Sequence, residues 1–265
     1  MPEGDTVHRW ADRLRDALVG HPVARVELRR DPRGLALPAP GTVVTGVEAR
    51  GKHLLVYFAD GATIHTHMRV QGVWQVYEAG RRWRRPAFAA RVVIEVDDGT
   101  TAVCFDAPVV ELRRDSVARP TTRGEASLAR LGPDLVEPEV DFDAVVTRLA
   151  ALPDETEIAN ALLDQRVASG IGNVFKSEIC WAHRVNPWTT LGALDDATRR
   201  ALYATAHEQL RANIAAGRRV TYRGGLAVYN KARRPCPRCR TPIRQARQGD
   251  DDRVTFWCPT CQPAS

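Results

Sequence analysis

The sequence predicts an α+β protein with an N-terminal helix plus β-sandwich domain, a helical domain and a C-terminal zinc-finger β-hairpin. Three observations predict it: short apolar stretches in the first half, helical periodicity in the second, and two C-x2-C pairs near the end. The 265 residues are 44% hydrophobic and 26% charged, which excludes a disordered or fibrous chain. No apolar run approaches the roughly 20 residues that span a bilayer, and no signal peptide follows Met1. We therefore expect a cytoplasmic protein without a membrane partner.

The first 115 residues indicate a helix followed by a β domain. Residues 3–20 carry apolar side chains at helical spacing, and Gly20 ends the pattern. Seven short stretches separated by glycine-containing turns follow, at 22–29, 42–49, 53–59, 62–70, 73–77, 90–97 and 100–106. Strands of this length with tight turns are typical of a sandwich or barrel, so we assign 1–115 to one domain.

The second half of the chain is helical. Segments with helical periodicity, separated by prolines, lie at 124–131, 141–151, 155–165, 173–182 and 194–216. They predict a domain over 125–220, and an Arg/Pro/Thr-rich linker at 116–124 joins it to the first domain. Residues 221–265 form a third unit.

Four cysteines in that third unit have the spacing of a metal site. The two C-x2-C pairs are separated by 18 residues and comprise Cys236, Cys239, Cys258 and Cys261. Four thiolates complete a zinc tetrahedron and leave no position for substrate, so one structural Zn²⁺ is predicted. Redox chemistry or two disulfides are alternatives, although a cytosolic setting disfavours disulfides. Cys104 and Cys180 lie in apolar contexts and are predicted to be buried thiols.

The charge is concentrated in the same unit. The chain has a formal net charge of +6, and residues 221–265 hold nine basic against three acidic side chains, so residues 1–220 are neutral overall. Segment 253–258 predicts a strand that enters the second cysteine pair, giving a hairpin that carries arginines. Such a hairpin suits a polyanion and could enter a DNA groove.

The N-terminus could supply a nucleophile. The chain begins Met1-Pro2-Glu3, and removal of Met1 would leave the secondary amine of Pro2 just before a helix. Such an amine can form an iminium ion with a sugar carbon, and the positive helix end should lower its proton affinity. Glu3 could transfer protons. The alternative is an ordinary helix start, because Pro-Glu opens many helices.

Three further patterns allow a functional or a structural interpretation. Lys52 lies at a turn between two strands and is either an anchored ammonium or simply solvated. His65 and His67 share one strand face, as a packed pair or as metal ligands that lack an identified third partner. The Gly170-Ile-Gly-Asn173 turn precedes a helix, where Asn173 is expected to be the N-cap. That helix start either binds phosphate or is capped without a ligand.

Together these residues resemble the formamidopyrimidine-DNA glycosylase/endonuclease VIII family of DNA base-excision repair enzymes. The resemblance covers the Met1-Pro-Glu-Gly start, the Gly51-Lys52 turn and the His67…Gly72-Val-Trp stretch. It continues through the Gly170-Ile-Gly-Asn173 turn and the four-cysteine finger. Each motif is modest alone, but their order and spacing are specific and extend nearly from end to end.

The resemblance implies a bifunctional DNA glycosylase and abasic-site lyase. Pro2 would attack C1′ of a damaged nucleotide, Glu3 would transfer protons, and Lys52 would contact phosphate and assist the chemistry. The Schiff base would then permit β- and δ-elimination. Asn173 and Arg253 would hold backbone phosphates. The space vacated by the flipped base would be filled from the matching loop, Arg69, Val70 and Gln71.

Departures from the family pattern refine this expectation. Asp5-Thr6 stands where many relatives have Pro-Glu, which removes a carboxylate from position 6. The stretch 223–229 is too short to hold the loop that covers oxidised guanine in the formamidopyrimidine branch. The endonuclease VIII branch is therefore favoured, with oxidised pyrimidines in double-stranded DNA as substrate, and a monomeric enzyme associated with the nucleoid. A non-catalytic zinc-finger DNA-binding module and a zinc-ribbon scaffold for protein interactions are the alternatives.

Overall fold

The computed structural model describes residues 2–29, 35–114 and 128–264. The chain divides into two compact units, Met1–Ala129 and Arg130–Ser265. The predicted linker at 116–124 and the first half of the predicted helix at 124–131 lie outside the described residues. Within the described part of the chain, no helix has both the length and the apolar character needed to cross a bilayer.

The first unit is a helix followed by two antiparallel four-stranded sheets. Helix α1 is Gly4–Leu18. The strands are β1 Val23–Leu28, β2 Val44–Arg50, β3 His53–Phe58, β4 Ala62–His67, β5 Val73–Tyr77, β6 Ala90–Val96, β7 Thr101–Phe105 and β8 Val109–Arg114. One sheet has the order β1-β6-β7-β5 and the other β2-β3-β4-β8. The predicted helix and β-sandwich are confirmed, and β8 is a strand that the sequence analysis missed.

One hydrophobic core joins α1 to both sheets. The apolar face of α1, including Val7 and Leu14, is fully buried against residues such as Leu54 of one sheet and Ile94 of the other. The helix contributes a side chain to this core every three or four residues, and each strand contributes every second side chain. Helical periodicity in one segment and strand alternation in the others therefore converge on a single core.

Helix α1 runs antiparallel to β2. Near its C-terminal end, Gly20 N donates to Val44 O at 2.9 Å, and further back Arg15 donates to Val47 O at 3.1 Å. Lower residue numbers in α1 thus correspond to higher numbers in β2. The N-terminus of the helix therefore lies toward the Arg50 end of the strand.

The second unit combines helices with the cysteine hairpin. Its helices are α2 Phe142–Ala150, α3 Ile158–Leu163, α4 Asn173–Ala182 and α5 Asp196–Ala216, and its strands are β9 Arg244–Gln248 and β10 Arg253–Trp257. Asp141 and Asp195 cap α2 and α5 by accepting backbone N–H bonds. Strands β9 and β10 pair in antiparallel register, which confirms the predicted hairpin.

Glu178 of α4 organises the segment that leads into the hairpin. Its side chain is 1% exposed and accepts backbone N–H bonds from Ala227, Val228 and Tyr229 at 2.7–2.8 Å. The hydroxyl of Thr221 donates to the same carboxylate. A buried carboxylate with several donors is an anchor, because each donor would otherwise lose its partner away from water.

Replacing this carboxylate should therefore destabilise the second unit. In Glu178→Gln an N–H group faces the backbone donors, and we expect the free energy of unfolding to fall by about 3 kcal/mol. Urea denaturation measures the loss. Exposed Glu155 is the matched control, and Glu155→Gln should change stability by less than about 0.5 kcal/mol. Equal stability of the two variants would contradict the anchoring role.

Candidate functional site

Pro2 and Glu3 lie directly before α1. Pro2 is buried, and Glu3 occupies the N-cap position with extended backbone (φ −126°, ψ −177°). The Glu3 carbonyl accepts the first helical bonds from Thr6 N and Val7 N at 3.0 and 3.1 Å. The Glu3 side chain is fully buried. The positive end of the helix stabilises a carboxylate there and lowers the proton affinity of a neighbouring amine.

Asp5, at the position where the sequence departs from the family pattern, has a local structural role. Its buried carboxylate accepts a bond from the Thr6 hydroxyl at 3.1 Å and lies 3.8 Å from the Arg9 guanidinium. An acid in the first turn complements the helix dipole. Asp5 and Thr6 therefore support the N-terminus of α1.

Lys52 projects from the two-residue turn between β2 and β3. Gly51, the first turn residue, has φ +56°, a conformation that glycine adopts without strain. The Lys52 side chain is half-buried. The hairpin thus holds its amine on a short, ordered connection.

The predicted gap-filling residues are at the exposed tip of the loop between β4 and β5. Arg69, Val70 and Gln71 are all exposed, and Arg69 has φ +45°. Gly72 N donates to Met68 O at 3.0 Å and closes the loop. A Cβ at position 72 would lie 2.8 Å from Met68 Cα, so only glycine permits this closure.

These groups of the first unit meet at one end of the sheet. The β3–β4 ladder terminates at the His53–His67 pair, with Lys52 just before it and the loop 68–72 just after it. Pro2 precedes α1, and because α1 runs antiparallel to β2, it lies toward this same end of the sheet. Pro2, Glu3, the Lys52 turn and the 68–72 loop therefore lie toward one end of the first unit.

Asn173 begins α4 but is not its N-cap, and here the sequence analysis was wrong by one residue. Gly172 has extended backbone (φ −127°, ψ −162°), and its carbonyl accepts the bond from Lys176 N at 2.9 Å. The Asn173 amide instead donates to Val254 O at 2.6 Å. Its Oδ1 is buried, with no hydrogen-bond partner among the described residues.

The same contact brings Arg253 close to Asn173. Arg253 precedes Val254 at the start of β10, and its side chain is 40% exposed and 3.2 Å from Asp251. The two predicted phosphate ligands, 80 residues apart in sequence, therefore lie at one corner of the second unit. An amide nitrogen retains a second hydrogen for a ligand after one bond is made.

Further ties between α4 and β10 were not predicted. Lys176 is 1% exposed and donates to the Thr255 hydroxyl at 2.6 Å, and Phe256 N donates to Ser177 Oγ at 3.4 Å. A lysine in an arginine-rich chain was the only signal in the sequence. These bonds hold the Arg253 strand along the helix.

The four predicted zinc ligands converge. The Sγ atoms of Cys236, Cys239, Cys258 and Cys261 all lie within 4.8 Å of one another. Hydrogen bonds from Thr241 lower the pKa of Cys239 to about 6, whereas burial and the neighbouring thiols raise the pKa of Cys261 to about 12. A bound cation would let all four ionise. The donor set and spacing fit one structural zinc ion.

Trp181 and Arg238 connect the metal site to α4. Trp181 Nε1 donates to Cys236 Sγ at 3.5 Å, and the Arg238 guanidinium lies 3.7 Å from the centre of the indole ring. Arg238 also donates to Ala182 O at 2.9 Å, at the negative end of the helix.

The remaining cysteines are fully buried as predicted, and burial raises the pKa of Cys180 to about 12 and that of Cys104 still further.

Comparison with family models gives three matches that together cover most of the chain. Residues 1–108 match the formamidopyrimidine-DNA glycosylase N-terminal domain, and residues 131–223 match its H2TH domain. Residues 234–264 match the zinc finger found in formamidopyrimidine-DNA glycosylase and isoleucyl-tRNA synthetase. The fold and the arrangement of its motifs are thus those of a DNA glycosylase scaffold.

The chain belongs to the formamidopyrimidine-DNA glycosylase/endonuclease VIII family. It is 42% identical to the probable endonuclease 8 2 of Streptomyces coelicolor, over 99% of this chain and 94% of that one. It is 38% identical to the DNA-(apurinic or apyrimidinic site) lyase Nei2 of Mycolicibacterium smegmatis over the full length of both.

Solved structures agree with this assignment. The MutM (Fpg) protein of Thermus thermophilus superposes with a TM-score of 0.80 at 26% identity, covering 100% of both chains. A Lactococcus lactis formamidopyrimidine-DNA glycosylase bound to abasic-site DNA superposes with a TM-score of 0.78 at 20% identity, over 99% of this chain and all of that one.

Zinc removal should unfold the hairpin and weaken DNA binding. Cys258→Ser, or chelation of the wild-type chain, removes the ion that holds Arg253 in place, and structural zinc binding is itself folding energy. We expect affinity for abasic DNA, measured by anisotropy at fixed salt, to fall at least about tenfold. Cys258→His keeps a zinc ligand and should preserve both zinc content and affinity. Undiminished affinity in metal-free protein would refute this.

Proposed function

We propose that the chain is a bifunctional DNA glycosylase and abasic-site lyase of base-excision repair that removes oxidised bases, with pyrimidines favoured. The observation that carries the proposal is the gathering of Pro2, Glu3, Lys52 and the 69–71 loop at one end of the β-sandwich. Relatives named endonuclease 8 and abasic-site lyase support it.

The chemistry begins with the Pro2 amine. After removal of Met1, its nitrogen attacks C1′, the bond from C1′ to the base breaks, and the base leaves with a proton. Opening of the sugar ring then gives an iminium ion. The iminium acidifies C2′, so loss of a C2′ proton expels the 3′ phosphate, and a second elimination expels the 5′ phosphate.

Glu3 and Lys52 serve this sequence in different ways. The buried Glu3 carboxylate, adjacent to the nucleophile, exchanges protons as the base leaves and the ring opens. Lys52 binds a phosphate of the damaged strand and so orients C1′ toward Pro2. The exposed tip of the loop, Arg69, Val70 and Gln71, fills the gap left by the flipped nucleotide.

Asn173 and Arg253 hold the backbone on the second unit. A guanidinium and an amide at one corner suit a single stretch of phosphates. Segment 221–229 is short, and its backbone is held by hydrogen bonds to Glu178. It therefore has no long loop that could enclose a purine, which supports the pyrimidine preference. We further propose that the enzyme acts as a monomer on double-stranded DNA and is associated with the nucleoid, where that substrate lies.

The nucleophile assignment predicts that blocking the amine abolishes activity. A chain that retains Met1 should lose base excision and should form no covalent complex when borohydride is added with abasic DNA, because the Pro2 nitrogen is then an amide and cannot form an iminium. Pro2→Gly, which keeps a primary amine at the terminus, should lose base excision. Gel electrophoresis detects the complex. Unchanged DNA affinity and melting temperature serve as controls for folding. A trapped complex with Met1 retained would remove Pro2 from the mechanism, and binding without trapping in the wild type would identify a non-catalytic DNA-binding module.

The phosphate assignment predicts a change in salt dependence. Arg253→Ala should weaken DNA binding for all sequences and reduce the slope of log K against log salt by about one. Arg200, on α5 and paired with Asp143 at 2.6 Å, is the control, and Arg200→Ala should leave the slope unchanged. An equal slope for Arg253→Ala and wild type would exclude a phosphate contact.

A further inference from the structure

Three histidines and a carboxylate share the sheet face opposite the core. The register pairs His53 with His67 and His65 with Glu111 across strands β3, β4 and β8. Residues of the other parity, such as Leu54, pack into the core. The alternation of His65 and His67 is therefore part of a larger cluster beside the Lys52 turn.

The cluster is connected by hydrogen bonds. His53 Nδ1 lies 2.8 Å from His65 Nε2, and His65 Nδ1 lies 3.3 Å from Glu111 Oε2. The ring of His67 stacks on His53 with centroids 4.3 Å apart. His65 is fully buried, and His53 is 3% exposed. A buried hydrogen-bonded path thus runs from the Lys52 end of the sheet to the partly exposed Glu111.

A metal ion does not fit this arrangement. Both ring nitrogens of His65 are engaged, one by His53 and one by Glu111, so neither is available to a metal. Over the described residues, only the four cysteines of the hairpin bring three or more ligand atoms close enough to share an ion. His53 is the third histidine near His65 and His67, but it is a hydrogen-bond partner of His65 and not a metal ligand.

The hydrogen bonds determine where the protons lie. A carboxylate only accepts, so Glu111 requires a hydrogen on His65 Nδ1. With its hydrogen on Nδ1, the His65 ring offers a lone pair at Nε2, which accepts from His53 Nδ1–H. His53 is left with an unprotonated Nε2 on the ring edge away from His65. Each imidazole is held in one tautomer by the partner behind it, as in other carboxylate–histidine pairs.

The histidines nearest Lys52 stay uncharged. Burial, with smaller contributions from His67, His65 and Lys52, lowers the pKa of His53 to about 2. Burial also lowers the pKa of His67 to about 4, with Lys52, His65 and Arg69 contributing. At neutral pH, the Lys52 turn therefore lies beside two uncharged imidazole rings.

We propose that Glu111, His65 and His53 form a positioning relay for Lys52: the hydrogen-bond chain fixes the orientation and tautomer of His53, and the His53–His67 stack supports the turn that carries the amine. The inference rests on the proposed function for its kinetic consequence, since Lys52 acts there on the damaged strand. His53, His65 and Glu111 are positioning residues and do not touch the substrate.

The first test measures the tautomers and does not depend on activity. Two-bond proton–nitrogen correlation spectra of the ¹⁵N-histidine-labelled protein, assigned with His53→Phe and His65→Phe, should show Nδ1–H with unprotonated Nε2 for both rings at pH 7. In Glu111→Leu the acceptor is gone, and the His65 signals should change. A charged His65, or Nε2–H on His53, would overturn the proposal even if the enzyme cleaves DNA as proposed.

The second test measures single-turnover cleavage of abasic DNA at saturating enzyme. His65→Phe breaks the chain and should lower the rate constant about tenfold or more, because a small displacement of an orienting group is costly. Its Kd for DNA should stay within about threefold, since the relay is buried. His65→Gln offers both a donor and an acceptor and should recover most of the rate. His21, bonded to Asp97 at 3.1 Å on the surface of the same unit, is the control, and His21→Phe should leave the rate unchanged.

The dependence on Lys52 is tested by a double-mutant cycle. If the relay acts through Lys52, adding His65→Phe to Lys52→Ala should cause little further loss. Independent, multiplicative losses would overturn the proposal, as would a wild-type rate in His65→Phe. Absence of cleavage by the wild-type chain would refute the proposed function, and the tautomer spectra would then decide on the relay alone.

Discussion

The packing of α1 along β2 is the constraint on which the proposed chemistry depends. A nucleophile on a side chain can adjust its torsions, but a backbone amine is placed only by the segment that follows it. Val7 and Leu14 are fully buried, and Arg15 bonds to β2, so the helix cannot slide without opening the core. The same core holds β3 and β4, whose ends carry Lys52 and the exposed loop. The packing of α1 against the sheets in the hydrophobic core therefore sets the orientation of the proposed reacting groups.

In the second unit, hydrogen bonds between α4 and β10 fix the position of the strand that carries Arg253. Asn173, Lys176 and Ser177 of α4 bond in turn to Val254, Thr255 and Phe256 of β10, so helix and strand share a fixed register. Apolar contact alone would resist separation but would tolerate sliding, whereas a buried donor that slips loses its acceptor. Zinc secures the opposite end of the hairpin. The Arg253 side chain thus starts from a strand that is fixed both along the helix and at the metal.

The sequence predicted those elements whose formation depends on residues close together in the chain. Helix α1 and the four-cysteine hairpin follow from periodicity and ligand spacing, which need no knowledge of the rest of the fold. Strand β8 was missed because it is an edge strand whose only fully buried side chain is Leu112, so it lacks an alternating pattern. Glu178 and the His65–Glu111 pair were missed because their partners lie about 45 to 50 residues away. Strand register and loop anchoring are properties of the assembled chain.

Net charge is a case in which the structure changes what composition implies. The excess of +6 lies in the last 45 residues, yet part of it is used internally: Arg238 covers the Trp181 ring, and Arg247 pairs with Asp252 at 2.5 Å. Four thiolates around Zn²⁺ add about −2. Residues 221–265 therefore offer DNA fewer cations than their nine basic side chains suggest. The salt dependence of DNA binding should count only those that meet phosphates. Bulk charge attracts a polyanion in general, whereas the phosphate contact proposed for Arg253 depends on the fixed strand that carries it.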